Sequence, residues 1–208
     1  MELHDLLNYD KIIIQCHDNP DADALASGYA LAWYFQNQNK DARFIYRGRN
    51  KIQKSNLMIM LSELEVPVSY EPDFDENPDL LITVDCQYGQ RNVTSTEAKE
   101  VVIIDHHQVS DPVSNQSEIR SNIGSCSTIV WDMIRKEGID VNANKKLSTA
   151  LYYGLYTDTN HLAEVSHPLD RDMLDTLKVN KNLIKKMSNS KISLAELKIT
   201  GAAILNFQ

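Results

Sequence analysis

Short, continuously apolar runs alternate along the chain with longer segments whose apolar residues recur at helical spacing. The apolar runs are rich in β-branched residues and predict buried strands at residues 11–16, 42–48, 80–86 and 101–107. The segments of helical spacing predict helices at residues 24–36, 55–64, 127–138 and 144–157. This alternation, with strands apolar throughout, is typical of an α/β domain in which helices flank a mostly parallel sheet.

The last part of the chain has a different pattern. After about residue 140 the pattern is mainly helical, and from residue 178 onward short helical segments are joined by polar turns. We therefore expect one α/β domain over residues 1–180, followed at residues 181–208 by a helical tail. The sequence ends on an apolar segment, which is typical either of a linker helix or of a docked C-terminal helix.

Composition and charge restrict the class of protein. The formal net charge of −8 argues against broad binding of long nucleic acids, because such binding needs basic surfaces. No apolar run has the length of a transmembrane helix, and the first residues lack the pattern of a secretory signal. The three cysteines are an odd number and widely spaced, which favours reduced thiols in a cytoplasmic protein.

Acidic and imidazole side chains follow three of the predicted strands. Open parallel sheets bind their ligands just beyond the carboxyl ends of the strands, so groups that are distant in sequence can meet there. A further acid follows an apolar helix. These candidates are His17, Asp21, Asp23, Asp85, Asp105, His106, His107 and Asp158.

Carboxylates brought together in this way repel one another. Like charges about 4 Å apart cost on the order of 4 kcal/mol at an intermediate effective dielectric, and cations at the centre remove that cost. Mixed Asp and His ligands suit Mn²⁺, Zn²⁺ or Fe²⁺ better than Ca²⁺, which prefers oxygen alone. Two ions that share a carboxylate lower the pKa of a water molecule and bind a phosphoryl group. The number of candidate ligands indicates two metals.

Each of these residues also has an ordinary structural interpretation. Residues 18–23 can form a turn with capping residues, Asp85 can cap a helix, and Asp158 can simply end its helix. Neighbouring imidazoles at a strand end contribute little to packing, so His106 and His107 are harder to explain in this way. The structural interpretation needs all these coincidences together, whereas one convergent site explains them at once.

The order of the short motifs is more specific than any one of them. HDNPDADALAS, TVDC, IIDHH, GSCST and LYTDT, over residues 10–165, resemble the successive motifs of the DHH phosphoesterase superfamily. That superfamily includes RecJ-type exonucleases, oligoribonucleases that also hydrolyse pAp, cyclic-dinucleotide phosphodiesterases and family II inorganic pyrophosphatases. The resemblance implies a Mn²⁺-dependent hydrolase that uses two ions, with Mg²⁺, Fe²⁺ and Co²⁺ as alternatives.

The resemblance also implies a role for each motif residue. It implies two sets of metal ligands that share one carboxylate, namely His17, Asp21 and Asp85 for one ion and Asp23, Asp85, His106 and Asp158 for the other. His107 matches the catalytic histidine that faces the substrate phosphate. Asp105 matches a residue that orients an imidazole, and that can also touch the site directly.

The substrate is less well defined because one expected motif is missing. Many nucleotide-cleaving members carry a second domain, DHHA1, whose glycine-rich, histidine-containing motif binds one end of the substrate, and no such motif follows Asp158. Residues 181–208 are therefore expected either to lead toward a missing DHHA1-like domain or to end a stand-alone catalytic domain. The implied substrates are short oligoribonucleotides, pAp, and linear or cyclic dinucleotides. The sequence leaves a homodimer open.

Two further segments are candidates for substrate contacts. GSCST places Ser127 and Thr128 at a predicted helix N-terminus that suits phosphate, and an ordinary N-cap explains the segment equally well. The basic segment at residues 46–54 includes Arg47 and Arg49, which can meet a nucleotide phosphate. A solvated loop is the more ordinary interpretation of such a charge run.

Other functions compete with a nucleotide phosphoesterase. A pyrophosphatase-like hydrolase uses the same metal chemistry, but in the superfamily it depends on a C-terminal domain with Lys and Arg contacts that this tail does not show. A catalytically silent nucleotide-binding module would have lost a metal ligand, and no ligand of the superfamily pattern is missing. A purely structural α/β domain would need no metal.

Overall fold

Strands and helices alternate through the first two thirds of the chain, and helices follow. The computed structural model describes residues 1–109, 117–190 and 194–205. The strands are β1 (Ile12–Cys16), β2 (Ala42–Tyr46), β3 (Val68–Tyr70), β4 (Leu80–Val84), β5 (Glu100–Asp105) and β6 (Glu118–Ile119). The helices are α1 (Ala22–Asn37), α2 (Ser55–Leu64), α3 (Cys126–Lys136), α4 (Lys145–Asp158), α5 (Pro168–Thr176), α6 (Lys181–Ser188) and α7 (Leu194–Leu205).

The strands form one parallel sheet whose order places the predicted site at its centre. The order is β3-β2-β1-β4-β5-β6, and every neighbouring pair is parallel. The order reverses between β1 and β4, since the chain moves outward from β1 to β3 and then returns to continue from β4. Such a switch point opens a crevice at the carboxyl ends of the strands, where ligands bind in sheets of this kind.

Helices cover one face of the sheet and form the main core. Helix α1 packs against both α3 and α4, and its side chains Leu25 and Phe35 are fully buried. At Gly28 a Cβ atom would lie 2.1 Å from the ring of Phe44, so only glycine lets α1 approach β2 this closely. The opposite face carries a smaller cluster in which strand residues pack with Phe74 from a connecting segment. The predicted α/β class with a mostly parallel sheet is confirmed.

The structure adds elements that the sequence pattern did not reveal. The edge strands β3 and β6 have three and two residues and are not fully buried, so neither produces an apolar run. Helix α5 was also not predicted as a separate element. The predicted helical tail corresponds to α6 and α7, while residues 191–193 and 206–208 of that tail lie outside the described residues.

The structure bears on two expectations from the sequence, namely that no helix spans a membrane and that the cysteines are reduced. Within the described ranges, none of the helices combines the length and apolarity needed to cross a lipid bilayer. The cysteines Cys16, Cys86 and Cys126 are all buried and unpaired by disulfides. Burial raises the pKa of each thiol well above its ordinary value, so these side chains act as small packing residues.

A buried carboxylate on α3 is held by three cations. Asp132 is 3% exposed and accepts from Arg120 Nη1 at 2.7 Å and Arg135 Nη2 at 2.8 Å, with Lys136 Nζ at 2.9 Å. Burial alone would favour the neutral acid. The hydrogen bonds from Arg120, Lys136 and Arg135 outweigh burial and lower the pKa of Asp132 from 3.8 to about 2.

We expect Asp132→Asn to destabilise the protein in a pH-dependent way. A lowered native pKa stabilises the fold above the unfolded-state value and loses this effect as pH falls through the native value. The variant should lose about 2 kcal/mol of unfolding free energy at pH 7, and the deficit should shrink between pH 5 and pH 2. Urea denaturation across this range measures it, with exposed Asp175→Asn as the control. An equal deficit at pH 7 and pH 2.5 would contradict the assignment.

Candidate metal centre

The loop after β1 places two predicted ligands beside the end of β4. His17 Nε2 lies 3.8 Å from Asp21 Oδ2 and 3.7 Å from Asp85 Oδ2. Asp21 is also the N-cap of α1, where its Oδ1 accepts from the N–H groups of Asp23 at 3.0 Å and Ala24 at 3.1 Å. The cap uses one carboxylate oxygen and fixes the other toward His17. One of the two predicted ligand sets is therefore assembled.

The second predicted set converges on the imidazole that follows β5. His106 Nε2 lies 3.1 Å from Asp158 Oδ2 and 3.9 Å from Asp23 Oδ2. It also lies 3.3 Å from Asp85 Oδ1, while Asp85 Oδ2 faces His17 of the first set. The structure thus brings all the predicted metal-binding residues into one cluster, in which Asp85 stands between the two groups.

Asp85 is held in an uncommon backbone conformation. Its φ of 57° lies in the left-handed region, which residues other than glycine rarely adopt. Its N–H donates to the Ile104 carbonyl of β5 at 3.0 Å, so the chain turns sharply as it leaves β4. Asp and Asn tolerate this region better than most residues, and outliers of this kind cluster at functional sites.

The electrostatics of the cluster favour bound cations. Burial disfavours the charged form of His17 and of His106. The neighbouring carboxylates outweigh burial and raise the pKa of His17 to about 10 and that of His106 to about 12. Burial, followed by the charges of Asp85 and Asp158, raises the pKa of Asp23 well above its ordinary value. Without cations, the cluster therefore has to retain protons on these groups.

Two buried atoms at the centre of the cluster also fit a metal. Asp85 Oδ1 and His106 Nε2 lie 3.3 Å apart, yet within the described part of the chain neither atom makes a hydrogen bond of acceptable geometry. Buried polar atoms are normally hydrogen-bonded, so these two atoms need an explanation. A nitrogen donor among carboxylate oxygens is a donor set that Mn²⁺, Fe²⁺ or Zn²⁺ accepts. The chemistry of these residues thus fits divalent transition-metal ions.

The second histidine of the DHH triplet is oriented by a short hydrogen-bonded chain. His107 Nδ1 lies 2.8 Å from Asp105 Oδ1, and the other oxygen of Asp105 accepts from Gln87 Nε2 at 2.9 Å. The bond to Asp105 raises the pKa of His107. The side chain of His107 is 59% exposed, and among the described residues none bonds to its Nε2, as the predicted contact with substrate requires. Sequence reasoning missed Gln87, because a single glutamine near a strand end carries no pattern.

Asp18 lies in the loop after β1 and belongs to neither predicted set of metal ligands. In the structure its carboxylate accepts from the Thr94 N–H at 2.8 Å and the Thr94 hydroxyl at 2.7 Å, and its own N–H donates to the Asn92 carbonyl. These bonds tie the loop after β1 to residues 92–94, while Gly48 packs against Asp18 from the other side. Asp18 therefore holds the ligand-bearing loop in place.

The residues predicted to contact substrate are placed differently from one another. Ser127 and Thr128 are fully buried, and the N-terminus of α3 is directed at Asp23 and capped by Ser125. This arrangement does not support their predicted contact with phosphate. Arg49 is exposed, so its contact with substrate stays a prediction. Its neighbour Arg47 is buried and donates to the carbonyls of Ser95 and Pro72, which is a structural role.

The sheet topology and the paired ligand groups together define an α/β domain with a candidate two-metal centre at its carboxyl edge. A sequence profile described as DHH family, N-terminal domain, matches residues 11–155. The chain therefore belongs to the DHH family, and the resemblance seen in its motifs is confirmed.

Similar proteins extend beyond the length of this chain. An uncharacterized protein of Methanocaldococcus jannaschii, MJ1633, is 24% identical over 198 residues, which cover 94% of this chain and 40% of that protein. A probable manganese-dependent inorganic pyrophosphatase of Streptococcus pyogenes serotype M1 is 29% identical over 153 residues, covering 72% of this chain and 48% of that protein. The chain thus spans about half or less of the length of these curated relatives.

A solved structure shares the fold. The crystal structure of an exopolyphosphatase-related protein from Bacteroides fragilis superposes with a TM-score of 0.71 at 18% sequence identity. The match covers 98% of this chain and 63% of that chain. At this identity the likeness concerns the fold.

Proposed function

We propose that this protein is a metal-dependent phosphoesterase that hydrolyses phosphodiester or phosphomonoester bonds of small nucleotides in the cytoplasm. The observation that carries the proposal is Asp85, whose two oxygens face His17 and His106 and so join two groups of potential ligands. The proposed cofactor is a pair of Mn²⁺ ions. The manganese-dependent relatives support this choice, and the mixed nitrogen and oxygen donors suit it. The homodimer stays a prediction.

The bound cations and His107 have different roles in the proposed reaction. Bound divalent cations would lower the pKa of a water molecule and stabilise negative charge on a phosphoryl group. Asp105 fixes the ring of His107, and the raised pKa of His107 favours a proton on both nitrogens. The Nε2–H can then donate to a phosphate oxygen, where it offsets charge that develops in the transition state.

A cavity beside the ligand-bearing loop supports a nucleotide as the substrate. Its volume is about 440 Å³, and it begins directly next to the loop between His17 and Asp21. Apolar side chains, amides and two lysines line it, which suits a sugar and base joined to a phosphate. The lining includes Pro20, Leu57, Ile199, Asn19, Lys51 and Lys54. Inorganic pyrophosphate would leave most of this space without a contact.

Hydrolysis assays with a small set of substrates test the proposal. With Mn²⁺, we expect cleavage of bis-p-nitrophenyl phosphate and of the dinucleotide pApA, loss of both activities in EDTA, and at least about tenfold slower cleavage of pyrophosphate. Preferred cleavage of pyrophosphate would instead favour a pyrophosphatase-like hydrolase. Bound Mn²⁺ without cleavage of any of these would favour a silent nucleotide-binding module.

A matched pair of tryptophan variants tests the role of the cavity in the same assay. Ile199 and Ile204 both lie on α7 and are 66% and 69% exposed, but only Ile199 lines the cavity. Ile199→Trp should raise the KM for pApA about tenfold by filling the space, whereas Ile204→Trp should leave it unchanged. Neither variant should change the KM for bis-p-nitrophenyl phosphate. Equal effects of both variants would remove the cavity from the proposal.

A further inference from the structure

The segment that joins β6 to the first residues of α3 contacts two of the three side chains Asp23, His106 and Asp158 directly through its backbone. His106 Nδ1 lies 3.3 Å from the Ile123 carbonyl, which can only accept, so Nδ1 carries the hydrogen and Nε2 is free to bind a metal. Further along, the N–H groups of Cys126 and Ser127 donate to the two oxygens of Asp23 at 2.6 and 2.9 Å. One short stretch of backbone therefore orients both His106 and Asp23.

The same segment is pressed against the end of α4, where the third side chain is located. A Cβ atom at Gly124 would lie 2.8 Å from Thr159 Cγ2 and 3.2 Å from Leu155 Cδ1. Thr159 directly follows Asp158, so the position of Gly124 restricts the residue next to that ligand. Only glycine permits this close approach without a shift of the segment or of the α4 end.

A buried carboxylate from α5 holds the segment. Asp170 is fully buried, and its Oδ2 accepts from the Gly124 N–H at 3.0 Å. Its Oδ1 has no hydrogen-bond partner among the residues that the structure describes. Burying a carboxylate for one hydrogen bond is costly, so a role in fixing Gly124 explains why an acid is placed there.

We propose that residues 123–127 form a backbone platform for the Asp23, His106 and Asp158 metal position, and that Asp170 is the positioning residue that anchors this platform. This inference rests on the proposed function, since it needs two metal positions. The contacts described for residues 1–109, 117–190 and 194–205 include none between the platform and either His17 or Asp21. Asp170 therefore controls one metal position and leaves the other intact.

Manganese titration of Asp170 variants tests the inference. Isothermal titration calorimetry should find two Mn²⁺ sites in the natural protein and in Asp172→Ala, an exposed acid on the same helix. In Asp170→Ala one site should weaken at least tenfold while the other changes less than threefold. Asp170→Asn keeps an oxygen acceptor for the Gly124 N–H and should recover most of that affinity. Electron paramagnetic resonance should show the coupled two-manganese signal replaced by a single-ion signal in Asp170→Ala.

A second variant, Gly124→Ala, allows the inference to be tested even if Asp170→Ala does not fold. Gly124→Ala places a Cβ atom 2.8 Å from Thr159 Cγ2 and 3.0 Å from Asp170 Oδ2, so it displaces the platform and should weaken the same single site, whether or not Asp170→Ala folds. Equal weakening of both sites, or no weakening of either in the folded variants, would overturn the inference and leave the proposed function standing. A natural protein that binds no Mn²⁺ would overturn the proposed function and this inference with it.

Discussion

Asp85→Asn should abolish tight metal binding and lower kcat/KM for phosphate esters at least about 1,000-fold. A metal centre stabilises the transition state by several kcal/mol, and each 1.36 kcal/mol of activation free energy changes the rate about tenfold. Asp85 is the residue whose loss affects both ligand groups, since its oxygens face His17 and His106. Asparagine keeps the size of the side chain and tolerates the φ of 57° at this position, so the backbone turn should survive.

The stability of the same variant separates lost ligation from lost folding. Without metal, Asp85→Asn should unfold at the same temperature as the natural protein or at a higher one, because it removes one charge from a crowded cluster. Mn²⁺ at 100 times its Kd should stabilise the natural protein by about 2.7 kcal/mol and leave the variant unchanged. Differential scanning fluorimetry measures both effects. Normal manganese content in Asp85→Asn, measured by elemental analysis, would show that the two-metal assignment is wrong.

His107→Ala should lower kcat about 100-fold while manganese content stays unchanged. Its Nδ1 is bound to Asp105, and its exposed Nε2 is free to reach a phosphate oxygen, so the loss should fall on chemistry rather than on metal binding. Steady-state kinetics with pApA and elemental analysis of the same preparation measure the two quantities. The exposed histidine at position 161 provides a matched His161→Ala control.

A competing arrangement gives the opposite result for metal binding. His107 also forms a potential metal-binding group with Asp85 and His106, and its Nδ1 lies 3.8 Å from Asp85 Oδ1. If His107 were a ligand in this way, His107→Ala would lose manganese and kcat together. A fall in kcat with full manganese content thus assigns His107 to the substrate.

The central strands could be predicted because their own side chains form apolar runs. The strands β1 and β4 are buried throughout, and β2 and β5 are buried over their C-terminal parts, so the apolar pattern locates each of them. The edge strands β3 and β6 could not be found in this way. Their few residues are held in the sheet by pairing with β2 and β5, which is a tertiary effect that a local pattern does not contain.

The candidate site also has a part that the local sequence pattern predicts and a part that depends on tertiary contacts. Its acids and imidazoles could be predicted because they recur at the ends of several predicted elements and in the order of the superfamily motifs, which one convergent site explains at once. The supporting residues Asp18, Gln87 and Asp170 act through hydrogen bonds to partners that are distant in sequence. The predicted contact of Ser127 with phosphate is met by competition for a related reason: the N–H groups at the N-terminus of α3 donate to the carboxylate of Asp23, which is distant in sequence.

The position of the ligands along the chain gives the metal centre a place in the folding order. The first ligand group is complete once the ends of β1 and β4 meet, whereas the second also needs the end of β5 and the end of α4. Ions that bind there would act as non-covalent cross-links that close very long loops, which opposes unfolding of the whole domain more than local fraying. We therefore expect both ion sites to be complete only after β1, β4, β5 and α4 have come together.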